Sequence, residues 1–147
     1  MAVITIIKEI KKIHPKEVVM VKIGDFFHVY GKDSYILAYL LGYKLKMVED
    51  NCWSCGFPTK SLSKVEATLE NKKVNYILVD RRNNYDVDDF SDNKNLNTYD
   101  EQFEKANKYI KSKNRIDAIY FELMKNINTK DIKNKIYEIE TILNIKY

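Results

Sequence analysis

Residues that interrupt or cross-link a fold are scarce in this chain: among 147 residues there are four glycines, two prolines, two cysteines and two histidines. Both cysteines lie in Cys52-Trp53-Ser54-Cys55, a single CxxC. One such pair does not complete a tetrahedral zinc site, and His14 and His28 stand too far off in sequence for a zinc-finger spacing. A thioredoxin-like redox motif needs a strand-to-helix context, whereas Gly56-Phe57-Pro58 reads as a turn. Neither a metal nor another cofactor is expected. The start carries no charged, apolar and cleavage-site pattern of a secretory signal, and no apolar run reaches the ~20 residues of a bilayer span. A cytoplasmic protein without a membrane partner is expected. No Gly-x-x-x-x-Gly-Lys-Ser/Thr occurs, which excludes a P-loop ATPase. No nucleophile–base pair or paired carboxylates stand in a convincing context, and Asp86-Val87-Asp88-Asp89 lacks metal-site flanks. The expectation is that this is not an enzyme.

What is present is ordinary in bulk and informative in detail. Apolar content of 45% and charged content of 31% suit a globular protein, and the length suits one domain or a small domain with an appendage. A net charge of +4 permits nucleic-acid binding without demanding it. Two of the four glycines lie in the most telling stretch, Val18 to Gly31. An apolar run ends at Gly24-Asp25, and the chain re-emerges with Phe26, Phe27 and His28. Glycine is entropically costly inside regular structure, so a glycine-poor chain keeps it where the backbone turns. Alternation puts Phe26 and Phe27 on opposite faces, with Phe27 the one expected in the core.

Two unlike parts follow from the patterning. From residue 1 to 82, short apolar runs alternate with helical ones, which argues an α+β domain with a mixed β-sheet flanked by helices. A first helix carries Ile6, Ile7, Ile10 and Ile13, with Thr5 as its N-cap and Pro15 just past its end. Val18 to Ile23 and Phe27 to Tyr30 read as strands. Asp33 or Ser34 caps a helix bearing Ile36, Leu37, Leu40 and Leu41, closed by Gly42. Tyr43 to Val48 alternates as a strand, Ser63 with Glu66 reads as a capping box, and Val74 to Val79 is a β-branched strand. Residues 83–98, rich in Asn and Asp, read as a linker or exposed loop. Residues 99–147 read as an α-helical hairpin with a break at Asn128-Thr129-Lys130-Asp131. Its apolar stripes include Phe103, Ala106 and Ile110, then Ile119, Leu123, Ile132, Ile136 and Ile139. Such a hairpin does not bury both stripes alone, so docking or homo-oligomerisation through 99–147 is expected.

The first part resembles domain I of the MutS family, the mismatch-recognition domain of DNA mismatch-repair proteins. The resemblance starts at His14-Pro15 and runs through Val18–Ile23 into Gly24-Asp25-Phe26-Phe27-His28, against the family's Gly-Asp-Phe-Tyr-Glu. Asp33, Ala38 and Leu41-Gly42 resemble its following helix, and Cys55-Gly56-Phe57-Pro58 resembles its Cys/Ala-Gly-Val/Ile-Pro. Leu62 to Asp80 resembles its closing helix and strand. In the family, the Phe after Gly-Asp inserts beside a mispaired base from the minor groove, which implies that role for Phe26. An apolar wedge of this kind favours weakened base pairs, which unstack at lower cost. The family's Glu falls on His28, which replaces an acceptor-only carboxylate by a ring with a donor and an acceptor.

Basic residues supply candidate phosphate contacts. Lys8, Lys11, Lys12, Lys22, Lys44 and Lys46 are single candidates, and Arg81-Arg82 forms a pair at a strand end. Lys105, Lys108, Lys111, Lys113 and Arg115 cluster on the helical tail. With Phe26 and His28, the expected nucleic-acid-binding set is Lys22, Lys44, Lys46, Arg81 and Arg82. The leading functional expectation is a non-catalytic accessory protein that holds DNA, RNA or a hybrid. The resemblance extends to small MutS-like proteins near the reverse transcriptases of diversity-generating retroelements, which implies a reverse transcriptase or another polymerase as partner. Two alternatives stand beside it: a mismatch or distorted-duplex DNA binder in mismatch repair, and a protein-protein interaction scaffold.

Overall fold

A computed structural model describes residues 2–91 and 96–146; the part of the expected linker at 92–95 lies outside the described residues. The chain divides into two compact units, Met1–Ile110 and Lys111–Tyr147. The first is built on a six-stranded mixed sheet of β1 (Val18–Ile23), β2 (Phe26–Tyr30), β3 (Lys46–Met47), β4 (Trp53–Pro58), β5 (Tyr76–Asp80) and β6 (Val87–Phe90), in the order β3-β4-β2-β1-β5-β6. β1 and β5 run parallel, and the other neighbouring pairs are antiparallel. The helices are α1 (Val3–Ile13), α2 (Lys32–Leu41), α3 (Leu62–Asn71), α4 (Tyr99–Lys125) and α5 (Ile132–Leu143).

The sheet is covered on both faces, which explains why its central strands are nearly continuous apolar runs. Val18, Met20, Phe27, Val29, Phe57 and Leu78 share one face with Ile36 and Leu37 of α2 and Val65 and Leu69 of α3. Val19, Val21, Ile77 and Val79 share the other with Ile7 and Ile10 of α1. Phe27 is buried and stacks on Phe57, with ring centroids 5.5 Å apart.

Several local expectations are corrected. Thr5 lies inside α1, whose N-cap is Ala2. Asp33 and Ser34 are not caps: α2 begins after Gly31, and both side chains are buried. The Asp33 carboxylate accepts hydrogen bonds from Lys11 Nζ at 2.9 Å, the Val19 backbone N–H at 3.0 Å and the Tyr99 hydroxyl at 2.5 Å. Burial pushes this carboxyl up from its ordinary value, against the opposing pull of Lys11 and its other two donors. The Ser63–Glu66 capping box does not form; α3 begins at Leu62, and Glu66 instead accepts from the Tyr76 hydroxyl at 2.9 Å. Gly56-Phe57-Pro58 is strand rather than turn, β3 is only two residues long, and β6 lies within 83–98.

The first turns of α4 belong to the sheet unit. Tyr99, Gln102, Ala106 and Ile110 are buried, Phe103 packs edge-on to Tyr35, and Tyr109 lies 5.5 Å from Tyr39. The unit Lys111–Tyr147 holds the rest of α4 and all of α5. It buries Ile132 and leaves Ile116, Ile119, Phe121, Tyr137 and Ile142 exposed. No helix among the described residues is long and apolar enough to cross a membrane.

Candidate nucleic-acid interface

The turn between β1 and β2 is two residues, Gly24-Asp25, with Gly24 at φ +62°. A positive φ at the first turn position matches the right-handed twist of the flanking strands, and only glycine adopts it without cost. The Asp25 carbonyl accepts from Thr59 N–H at 2.9 Å, which ties this turn to the exit of β4. Strand alternation then decides which aromatic faces out. Phe26 is 50% exposed, whereas its neighbour Phe27 is 4% exposed. Phe26 pairs with Ile23 on one side and Pro58 on the other, in the last row of the sheet.

Three of the basic candidates stand at this same end. Lys22 pairs with Phe27 and Asp80, one row in from Phe26, with its side chain on the face opposite to Phe26. Arg81 and Arg82 follow directly from Asp80, whose carboxylate accepts the Arg82 backbone N–H at 2.8 Å and fixes the single turn that presents them. Both arginines are exposed and make no ion pair among the described residues. β1 lies between β2 and β5, so Phe26 and Arg81 are two strand spacings apart, about 10 Å. Lys46 is elsewhere. It pairs with Ser54, which pairs with Tyr30 at the far end of β2, about 13 Å along the strand from Phe26. Lys44 is exposed in the segment leading into β3.

His28 sits in the middle of β2, level with Val21 and Gly56 and on the same face as Phe26. Its ring stacks beside that of Tyr30, with centroids 6.4 Å apart and planes at 22°. Gly56 makes the room, because a Cβ there would lie 3.3 Å from the Phe27 carbonyl oxygen and 3.5 Å from His28 Nδ1. Burial lowers the His28 pKa from its ordinary 6.5, so the ring is neutral at pH 7. Its imidazole resonances should therefore titrate in NMR with a midpoint below 6.5; a midpoint above that value would contradict the burial seen here. Between the depressed value and 6.5 the unfolded chain holds the proton and the folded one does not, so falling pH through that window costs stability. Tyr30, the stacking partner, is the residue the sequence reading missed, and the period-2 series 26, 28, 30 was the signal that pointed to it.

The two cysteines of the CxxC are free thiols. Cys52 and Cys55 lie three residues apart on extended backbone, about 10 Å, too far for a disulfide. Cys55 is buried against the Ser34 carbonyl at 3.8 Å, and burial pushes its thiol up to about 12.

The sheet order, the Gly-Asp turn and the exposed Phe26 coincide with a match to the family model of MutS domain I over residues 2–89, more than half of the chain. The chain belongs to the MutS domain I family. The match reaches into β6, beyond the boundary at residue 82 expected from the sequence. No curated protein matches the chain. MutS domain I is the DNA mismatch-recognition domain, so membership supports a DNA-binding role and a nucleic acid as partner.

Proposed function

We propose that this protein is a non-catalytic nucleic-acid-binding accessory protein. It grips a distorted strand at the Phe26 end of its sheet and docks on a partner through Lys111–Tyr147. The half-exposed Phe26, at the same end of the sheet as Arg81 and Arg82 and with Lys22 one row in on the other face, is the observation that carries the reading. A large apolar ring held out of the core by strand alternation suits insertion next to a weakened base pair, and the flanking cations suit phosphate. The exposed apolar side chains of α5 and the second half of α4 support docking on a protein. In the leading reading that protein is a reverse transcriptase or another polymerase of the diversity-generating type, with self-association as the competing use of the same residues. The distorted-duplex reading in mismatch repair is favoured specifically by Phe26. His28 weakens it, since a neutral ring does not reproduce an acceptor-only carboxylate.

Fluorescence anisotropy against homoduplex, mismatched duplex, single-stranded DNA and structured RNA at two salt concentrations tests the proposal. Binding that weakens with salt is expected, and replacing Arg81 and Arg82 together by alanine should lower the slope of log affinity against log salt by about 1.5. A mismatch preference would favour the duplex reading, an RNA preference the polymerase accessory. Binding to none of the four would contradict the proposal and leave the scaffold.

A further inference from the structure

At the opposite end of β2 from Phe26, a cavity of about 400 Å³ opens between α1 and the start of α2. Its size falls within the ~300–1,000 Å³ range of small-ligand sites. Ile4 and Ile7 of α1 and Tyr30 form apolar and aromatic walls, and Lys8, Lys11, Lys12 and Lys32 surround the opening. Lys8, Lys11 and Lys12 are spaced i, i+3 and i+4, so one face of α1 carries three like charges, an arrangement that costs helix stability. Two of them are neutralised, Lys11 by Asp33 at 2.9 Å and Lys12 by Glu9 at 2.8 Å. Lys8 and Lys32 have no ion-pair partner among the described residues, and both are exposed at the rim. Lys32 Nζ is held 4.9 Å from the centre of the Phe103 ring, which limits where that charge points. Gly31, Lys32 and Asp33 also bring the first turn of the ten-residue α2 to the cavity, with no side chain capping it. That turn carries the buried Asp33 carboxylate, whose charge Lys11 offsets, so the cations left without an ion pair at the cavity, among the described residues, are Lys8 and Lys32.

We propose that this cavity binds a nucleotide, with the base against Ile4, Ile7 and Tyr30 and the terminal phosphate on Lys8 and Lys32. An apolar slot alone would suit any flat molecule. The uncompensated cations confined to its rim select one that ends in phosphate. The site does not depend on the wedge reading, because Phe26 stands four residues away along β2 and touches none of it.

Calorimetric titration of the full chain with AMP, adenosine, inorganic phosphate and a trinucleotide with or without a 5′-phosphate tests this. AMP or the 5′-phosphorylated trinucleotide should bind at least tenfold more tightly than its unphosphorylated counterpart and than inorganic phosphate. The double variant K8Q/K32Q should lose at least tenfold in that affinity, while K64Q, on the exposed side of α3, leaves it unchanged. Lys8 and Lys32 are both exposed, so the double variant keeps its fold. Preference for AMP identifies a free nucleotide as the ligand, and preference for the trinucleotide identifies a strand end; either upholds the site. Equal binding of adenosine, equal binding of inorganic phosphate, indifference to K8Q/K32Q, or no binding at all overturns it.

Discussion

Asp33→Ala should lower the unfolding free energy of the chain by about 3 kcal/mol, because it removes the one acceptor shared by four elements. The carboxylate is 1% exposed and reaches from α2 to the Val19 N–H on β1, Lys11 on α1 and the Tyr99 hydroxyl on α4. Alanine leaves a buried N–H and a buried hydroxyl without that partner and returns a lysine to partial solvation. Each stranded donor costs about 1–3 kcal/mol, and partial access of water to Lys11 keeps the sum at the lower end. Tyr99→Phe removes one donor and leaves the other two in place, so it should cost only about 1 kcal/mol. Urea denaturation of the two single variants and the double variant measures both effects. Their non-additivity reports the coupling, since Tyr99→Phe has little left to remove once Asp33 is gone. A loss below about 1 kcal/mol for Asp33→Ala would show that this carboxylate does not join the elements as described.

Phe26→Ala should have the opposite signature: function lost with the fold intact. The side chain is half exposed, so its removal should change stability by no more than about 0.5 kcal/mol. Affinity for a mismatched or bulged duplex should fall at least about tenfold, some 1.4 kcal/mol, and homoduplex affinity should hardly change. Phe27→Ala is the internal contrast, for that ring is buried and stacked on Phe57 and its truncation should cost about 3 kcal/mol of stability. Anisotropy titrations beside denaturation curves separate the two. Equal affinity of Phe26→Ala and the parent for mismatched duplex would remove the wedge from the account.

How far these features were legible depended on whether their signals were local. β1 was read with its observed bounds, because an apolar run closed by Gly24-Asp25 needs no distant partner to be recognised. Gly42, with φ +75° at the end of α2, announced itself in the same way. Alternation put Phe26 and Phe27 on opposite faces, and the motif around Gly24-Asp25 pointed to Phe26 as the outer one. β6 escaped because Val87-Asp88-Asp89-Phe90 is an exposed edge strand with no apolar face to pattern, and its pairing to β5 is the only thing that makes it a strand. Gly56 and Pro58 read as turn residues, yet Gly56 clears space for His28 and Pro58 ends β4, where a missing N–H is tolerated. Asp33 carried the local signature of a cap, and only the tertiary fold brings Lys11, Val19 and Tyr99 to it. Likewise no sequence pattern joined Lys8 and Lys32, which meet at one cavity because α1 crosses the sheet beside the end of β2.

The central claim is that Phe26 enters a weakened base step, and 2-aminopurine placed next to a mispair measures that step directly. The fluorescence of 2-aminopurine is quenched by stacking and rises when its neighbours are unstacked. Saturating protein should raise the signal from the mismatched duplex and leave the matched duplex unchanged, and Phe26→Ala, added at a concentration that also saturates the duplex, should produce no rise. A rise of equal size with Phe26→Ala, or none with the parent protein at saturation, would contradict insertion at Phe26.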